Sequence, residues 1–350
     1  MMVMTKAQTL ERFFQAFGGN DLDTALSLTT PEVTLDRSNS KGPIRGIARG
    51  HDEIRAASAE LRGPIEGMTW EPKRIRLVGA DFVVIETEVS IKGRCSEINV
   101  VARGGWLARF EGALIAEGIL HQDFGDALLE ARRRTLSTSR LYFVCEAQPN
   151  GRDPEPLLES AIRGGVDVIQ MREKAPRCAE ELIAFAEPFA RAARDHGALF
   201  FLNDRPDLVA ACDADGVHVG QDDDPVAEAR AATGPATLVG LSTHSPAQFD
   251  AALTATGDSR ADQLSAGPVW KTPTKQGRPA AGLELIRHAA TKATGDEPWF
   301  AIGGIDAANI GEVVGAGATR AVVVRAIRDA PDPEAAAREL RAALDSSASI

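Results

Sequence analysis

From residue 140 onward the chain alternates between two textures. Short apolar runs recur: LYFVC (141–145), VDVIQM (166–171), ALFFLN (198–203), GVHV (216–219), TLVGL (237–241), DQLSAG (262–267), WFAIG (299–303) and AVVV (321–324). Between them lie Ala/Glu/Arg-rich stretches such as PEPLLESAIRGG and AEELIAFAEPFARAARDHG. Brief runs rich in Val, Ile, Leu and Phe are how strands covered on both faces read. Several of the intervening stretches open on Pro or Asp and stop at Gly, as helix ends do. Eight strands, each followed by a helix, predict an α/β protein with a compact (β/α)8 TIM barrel. A doubly wound sheet is the alternative, and it usually has fewer strands.

The first 130 residues follow another pattern. TLERFFQAFGG, LDTALSLTT and HDEIRAASAELRG read as amphipathic helices. WEPKRIRLVG, DFVVIETEVSIKG, SEINVVARGGWLARF and ALIAEGILHQDF are long alternating runs broken by Gly or Asp turns. That predicts an antiparallel sheet with one buried face, hence an α+β domain. The joint falls at ARRRTLSTSR (131–140), whose Ser/Thr stretch suits a linker. The expected organisation is an α+β domain over 1–130, a linker over 131–140 and a barrel over 141–350.

Charge supports the division. Positions 1–138 hold 18 Lys/Arg and 19 Asp/Glu, leaving 21 and 31 of the chain's 39 and 50 for the remainder. The net charge of −11 argues against a general nucleic-acid or anionic-membrane partner. A hydrophobic fraction of 44% with 25% charged residues excludes disordered, collagen-like and disulfide-scaffold classes. No apolar run reaches the ~18–20 residues of a membrane span. The start, MMVMTKAQTLERFF, meets charge at once, so a cytoplasmic protein is expected. Cys95, Cys145, Cys178 and Cys212 are widely spaced and read as reduced structural thiols.

In a (β/α)8 barrel the chemistry sits at the C-terminal strand ends. After the second strand, alternation sends Gln170, Arg172 and Lys174 to one side, a set suited to a phosphate or pyrophosphate. Asp204, after the third strand, is placed either to bind a metal or to cap a helix. Gly220-Gln221-Asp222-Asp223-Asp224 follows the fourth, and one of its acids, paired with Asp204, suits Mg²⁺. Ser242-Thr243-His244 follows the fifth. There a hydroxyl pair with a His serves acid–base chemistry, or else ordinary helix-start hydrogen bonding. The segment 267–279 carries Thr272, Thr274 and Lys275 in a Gly/Pro-bounded loop that reads as a lid. Gly303-Gly304 and Val324-Arg325 close the series at the fold's usual phosphate position. Two anion sites and a carboxylate pair, without a triad or a strand lysine, point to a transferase that expels pyrophosphate.

The ordered set QMREK, ND, DGVHVGQDD, STH, GPVWKTPTK, GLELIR, AIGGI and VVVRAI resembles thiamine-phosphate synthase over about residues 140–345. The resemblance implies that Gln170, Arg172, Lys174, Asn203, Ser242 and Lys275 hold hydroxymethylpyrimidine diphosphate. Asp204 and Asp223 would bind Mg²⁺. Thr272 and Thr274 would contact thiazole phosphate, whose phosphate would meet Gly304, Val324 and Arg325 through the backbone. Arg172, Ser242 and Lys275 are the expected catalytic set. The implied reaction is dissociative: pyrophosphate leaves, a pyrimidine cation forms, and the thiazole nitrogen captures it. Trp270-Lys271 and Arg325 depart from the family pattern. A thiazole tautomerase acting through His244 is the alternative within the fold, and a non-catalytic phosphate-ligand sensor the alternative outside it.

Residues 1–130 resemble the SnoaL-like, NTF2-like cone fold by element order alone, which leaves function open. Ligand binding, a second activity and homo-oligomerisation through this domain all remain. His51, Asp52, Trp106, His121 and Asp123 are candidates to face a cone pocket; His51–Asp52 as a helix start and Trp106 as core are the plainer readings.

Overall fold

The computed structural model describes residues 4–41, 45–94, 99–271, 280–293 and 297–346. Its contacts separate two compact units, Met1–Ala131 and Arg132–Ile350.

The first unit begins with α1 (Lys6–Gly18) and α2 (Leu22–Ser27). Then come β1 (Thr29–Asp36), β2 (Ile47–Arg49) and α3 (Gly50–Arg62). Four long strands follow: β3 (Ile65–Val78), β4 (Phe82–Gly93), β5 (Asn99–Glu111) and β6 (Leu114–His121). A Thr5/Gln8 capping box starts α1, and its Leu10, Phe13 and Phe14 are buried against the sheet's Val83, Ile85, Trp106 and Phe110. The sheet order is β2-β1-β6-β5-β4-β3. Two features depart from the expected antiparallel sheet. TTPEVTLD, of which only Thr29 and Thr30 fell in the stretch read above as a helix, is β1, and β1 runs parallel to β6. Only Val33 and Leu35 carry its alternation, and Pro31 sits where the register shifts between Thr29 and Thr34, which hid the strand. His51 and Asp52 do start a helix, α3, and His51 Nε2 lies 3.0 Å from Thr29 Oγ1.

The segment expected to be a linker is instead helical. α4 (Phe124–Thr138) runs through it and passes from one unit into the other. Ala127, Ala131 and Thr135 recur every fourth residue and are buried, and this helical spacing outweighs the Ser/Thr composition. The hydroxyls of Ser137 and Thr138 bond back to helix carbonyls.

The second unit continues with β7 (Leu141–Cys145), α5 (Glu155–Arg163), β8 (Val168–Met171), α6 (Ala179–His196), β9 (Leu199–Asn203), β10 (Gly216–Val219), α7 (Val226–Thr233) and β11 (Leu238–Thr243). It ends with α8 (Pro246–Thr254), β12 (Gln263–Ala266), α9 (Gly282–Lys292), β13 (Trp299–Ile302), α10 (Ile310–Gly315), β14 (Ala321–Val323), α11 (Arg325–Arg328) and α12 (Pro333–Asp345). β7 to β14 close into a parallel eight-stranded barrel. One expected helix is absent among the described residues: between β9 and β10 there is a single 3-10 turn, Pro206–Leu208. Inside the barrel Tyr142 packs against Phe201 and Phe300, at 5.8 and 5.6 Å between ring centres. Gly216 leaves room for this layer, since a Cβ there would come within 2.5 Å of the Phe201 ring.

Three aspartates, each one residue before a strand, tie the barrel's lower rim. Asp167 accepts from the backbone N–H of Arg140 and Leu141, and pairs with Arg341. Asp215 accepts from Phe200 N–H and pairs with Arg132, both side chains nearly buried. Asp262 accepts from Val239 N–H and pairs with Arg133 and Arg230. No helix among the described residues is long and apolar enough to cross a membrane.

Candidate active site

Parallel strands deliver all their C-terminal ends to one rim. A cavity of about 360 Å³ opens there. Gln170, Arg172, Asn203, Ser242, Gly304, Val324 and Arg325 line it, as does His244. Lys174, Asp204 and Asp223 are not lining residues but cluster with Asn203 and Arg172 beside it. Thr272, Thr274 and Lys275 lie outside the described residues.

The β8–β9–β10 sector forms one polar chain. Gln170 Nε2 donates to Asn203 Oδ1 at 2.8 Å, and Asn203 Nδ2 donates to the Asp204 carboxylate. Lys174 Nζ reaches the same carboxylate at 3.2 Å. Asp204 sits in the left-handed region, at φ 57°, a strained conformation for a non-glycine residue. Its backbone N–H donates to His218 O at 3.0 Å, holding the turn against β10. Asp223 Oδ2 accepts from Gly220 N–H at 2.8 Å, and a Cβ on Gly220 would approach that oxygen to 2.7 Å.

Burial, and then the facing Asp223 carboxylate, push the Asp204 carboxyl above its ordinary range; Lys174 opposes both. Two acids crowded in this way call for a cation. No group of three or more His, Cys, Asp or Glu suited to a metal occurs among the described residues. A pair nonetheless fits Mg²⁺, which keeps waters and binds through one or two carboxylates plus substrate phosphates. Burial lowers the Arg172 guanidinium, and Asp204, Glu146 and Asp223 act in the opposite direction.

Ser242 belongs to a second chain that the sequence reading missed. His218 Nε2 lies 2.9 Å from Ser242 Oγ, and Gln263 Nε2 lies 2.8 Å from His218 Nδ1. Ser242 Oγ and the Gln263 amide thus engage the two ring nitrogens of His218, one each. Gly240 makes room: a Cβ there would stand 2.5 Å from Gln263 Nε2 and 2.6 Å from His218 Nδ1. The available signal was a polar residue inside each of the apolar runs GVHV and DQLSAG. Tyr142, the chain's single tyrosine, also lines the cavity, and burial raises its phenol well above the ordinary value.

On the opposite side, Gly303 and Gly304 both adopt positive φ, 110° and 71°. Val269 and Trp270 donate backbone N–H groups to Ile302 O and Gly303 O at 2.9 and 3.1 Å, fastening the start of the 267–279 loop there. A Cβ on Gly303 would strike Pro268 at 2.5 Å. Arg325 opens α11 at the cavity, and its charge helps lower the neighbouring Asp329 carboxyl, after Arg328, whose bond to it is the larger cause. His244 Nδ1 donates to Gly267 O at 2.7 Å, and its backbone N–H donates to Gln248.

Residues 141–327 match a family model described as thiamine monophosphate synthase, and residues 10–118 one described as a SnoaL-like domain. A thiamine-phosphate synthase of Acidothermus cellulolyticus is 48% identical over 216 residues, covering 62% of this chain and 100% of the relative. The Streptomyces avermitilis enzyme of that name is 48% identical over 210 residues, covering 60% and 95%. Among solved structures, a thiamine phosphate pyrophosphorylase from Pyrococcus furiosus matches with a TM-score of 0.53 at 30% identity, covering 61% of this chain and 98% of that one.

Proposed function

The chain belongs to the thiamine monophosphate synthase family and acts in thiamine biosynthesis, and we propose how its barrel residues divide the work of joining hydroxymethylpyrimidine diphosphate to thiazole phosphate. The observation that carries the reading is the single cavity shared by Gln170, Arg172, Asn203 and Ser242 on one side and Gly304, Val324 and Arg325 on the other. One side suits a diphosphate and the other a monophosphate.

In the reaction the bond between the pyrimidine methylene and the diphosphate oxygen breaks, and its electron pair leaves with pyrophosphate. The thiazole nitrogen then gives its lone pair to the methylene carbon. Negative charge concentrates on the departing group, so fixed cations favour the transition state over the ground state. Arg172, Lys174 and Lys275 supply those cations. Asp204 and Asp223 would hold Mg²⁺ together with diphosphate oxygens. When bound, that ion offsets the leaving group's charge. Ser242, oriented by His218, donates its hydroxyl proton to the bound pyrimidine diphosphate. The pyrimidine cation needs a site that excludes the water which would otherwise capture it. Backbone N–H groups at Gly304, Val324 and Arg325, with the Arg325 side chain, hold the thiazole phosphate.

A thiochrome fluorescence assay on purified protein tests this. With Mg²⁺ and both substrates, wild type should form thiamine phosphate, and Lys275→Ala should lose at least about a hundredfold in kcat. Folded wild type that forms none, even with the carboxylated thiazole phosphate, would overturn the assignment. His244→Ala that loses a tautomerase activity found in its place would favour the alternative.

A further inference from the structure

The barrel closes where its last strand, β14, pairs with its first, β7. Arg328 spans that seam at the strands' C-terminal ends. Its Nη1 donates to Oε1 of Glu146, the residue after β7, at 2.7 Å. Its Nε and Nη2 donate to Oδ1 and Oδ2 of Asp329 at 2.7 and 2.9 Å. One guanidinium thus takes two carboxylates and holds the second by both oxygens. The Arg328 side chain is 17% exposed, against 45% for Glu146 and 43% for Asp329, so the cation is the sheltered member. Asp329 is the main cause that raises the Arg328 guanidinium, and Arg328 the main cause that lowers the Asp329 carboxyl.

Arg328 does not line the barrel's cavity, but Asp329 and Arg325 do. Among the described residues the lining acids are Asp306 and Asp329, and the lining arginines are Arg172 and Arg325. Asp306 is engaged in its own loop, where it accepts from Ala308 N–H at 3.0 Å. Arg172 belongs to the diphosphate side, so Arg325 is the cation on the side of Gly304 and Val324. No hydrogen bond or ion pair engages the Arg325 side chain among the described residues. Arg325 and Asp329 are four positions apart, the spacing at which opposite charges meet along a helix. An unoccupied Asp329 would therefore compete with a phosphate for Arg325. Arg328 prevents this by filling both Asp329 oxygens. It also balances the charge: Arg325 and Arg328 offset Glu146 and Asp329, whereas Arg325 alone would face two carboxylates.

We propose that Arg328 is a positioning residue for the monophosphate substrate: by occupying Glu146 and both oxygens of Asp329, it keeps the Arg325 guanidinium free to pair with thiazole phosphate. The proposal rests on the reading of Gly304, Val324 and Arg325 as the monophosphate side.

Steady-state thiochrome kinetics on the full chain, each substrate varied in turn with Mg²⁺ saturating, test it. Arg328→Gln should raise the thiazole phosphate KM about three- to tenfold, with kcat and the pyrimidine diphosphate KM within about twofold. Arg328→Lys keeps the charge but loses the fork, and should give a smaller rise. Adding Asp329→Asn to Arg328→Gln should restore most of the loss, which a merely structural arginine would not allow. On an Arg325→Ala background, Arg328→Gln should cost less than about twofold. Thermal melts show which variants fold. A thiazole phosphate KM unchanged in every folded Arg328 variant would overturn the proposal. So would equal rises in both KM values, no recovery with Asp329→Asn, or an undiminished effect beside Arg325→Ala. Wild type that forms no thiamine phosphate fails the assigned reaction instead, and calorimetry with thiazole phosphate then decides this point alone. Wild type should bind it about three- to tenfold more tightly than Arg328→Gln, and equal affinity would overturn the proposal.

Discussion

Gly240→Ala separates the barrel's interior packing from its chemistry. The added Cβ would stand 2.5 Å from Gln263 Nε2 and 2.6 Å from His218 Nδ1, where ordinary contact begins near 3.4 Å. The two side chains must therefore withdraw by up to about 0.9 Å, the difference between those distances. Both are nearly inaccessible, at 1% and 7% exposure, so the strain has nowhere to relax. Overpacking of this kind costs roughly 1–3 kcal/mol, and stretching the buried Gln263–His218 bond a further ~1–3 kcal/mol. For a unit of this size that is a fall in melting midpoint of roughly 5–15 °C. His218 also sets the Ser242 hydroxyl at 2.9 Å, and misplacement by about 1 Å of a positioned group costs up to ~100-fold in rate. Calorimetric melts and thiochrome turnover measure both effects. Gly311→Ala, where nothing lies within 4 Å of the new Cβ, should leave both unchanged or raise stability slightly. Combining Gly240→Ala with Gln263→Ala should recover part of the stability and none of the turnover. A Gly240→Ala protein with wild-type melting point and wild-type kcat would refute the reasoning.

Further outcomes follow from the charged side chains of the barrel. Burial and Asp223 raise the Asp204 carboxyl, so its charged form is disfavoured in the fold. Metal-free stability should therefore fall as pH rises from about 3.8 through the raised pKa. Asp204→Asn should raise metal-free stability at pH 7 by about 0.5–2 kcal/mol while removing Mg²⁺-dependent turnover. The acid limb of Mg²⁺ binding should lie above the ~4 of an ordinary carboxylate, as titration calorimetry across pH would show; a limb at or below ~4 would contradict the pairing. Arg132→Ala should cost about 3–5 kcal/mol in denaturant melts, because it leaves the buried Asp215 carboxylate without its partner; a loss below ~1 kcal/mol would mean water reaches that rim.

The barrel was legible because each strand is a short apolar run and each run ends in the residues that carry chemistry. Gln170, Arg172, Asn203 and Ser242 stand at the ends of β8, β9 and β11 and meet in one cavity, as strand-end logic requires. What stayed hidden depends on partners distant in sequence. His218 lies 45 residues from Gln263, and no local pattern states that Gly240 opens the space between them. The α4 segment misled because Ser and Thr read as loop formers, whereas their hydroxyls here bond back to helix carbonyls and Ala127, Ala131 and Thr135 supply the buried stripe. β1 was masked by Pro31 and by a parallel partner, β6, that follows some eighty positions later. Of the residues named as candidates to face a cone pocket, Trp106 and His121 line a cavity of the first unit, to which α1 and β3 also contribute.

The charges around the diphosphate end explain how an acidic barrel takes an anionic substrate. Arg172 and Lys174 stand against Asp204, Asp223 and Glu146, and Glu146 is already engaged by Arg328 at 2.7 Å. Two cations facing the Asp204 and Asp223 carboxylates give no net attraction for a diphosphate. A divalent ion held by the carboxylate pair would offset its charge and leave Arg172 and Lys174 to face a diphosphate. The strained φ of Asp204 and its raised carboxyl fit the same picture: the unfavourable carboxylate held at this strand end is one that a bound cation would relieve. On this account the aspartate pair would do more than retain a metal. It would hold diphosphate affinity low until a cation is in place, and so couple diphosphate binding to readiness for its expulsion.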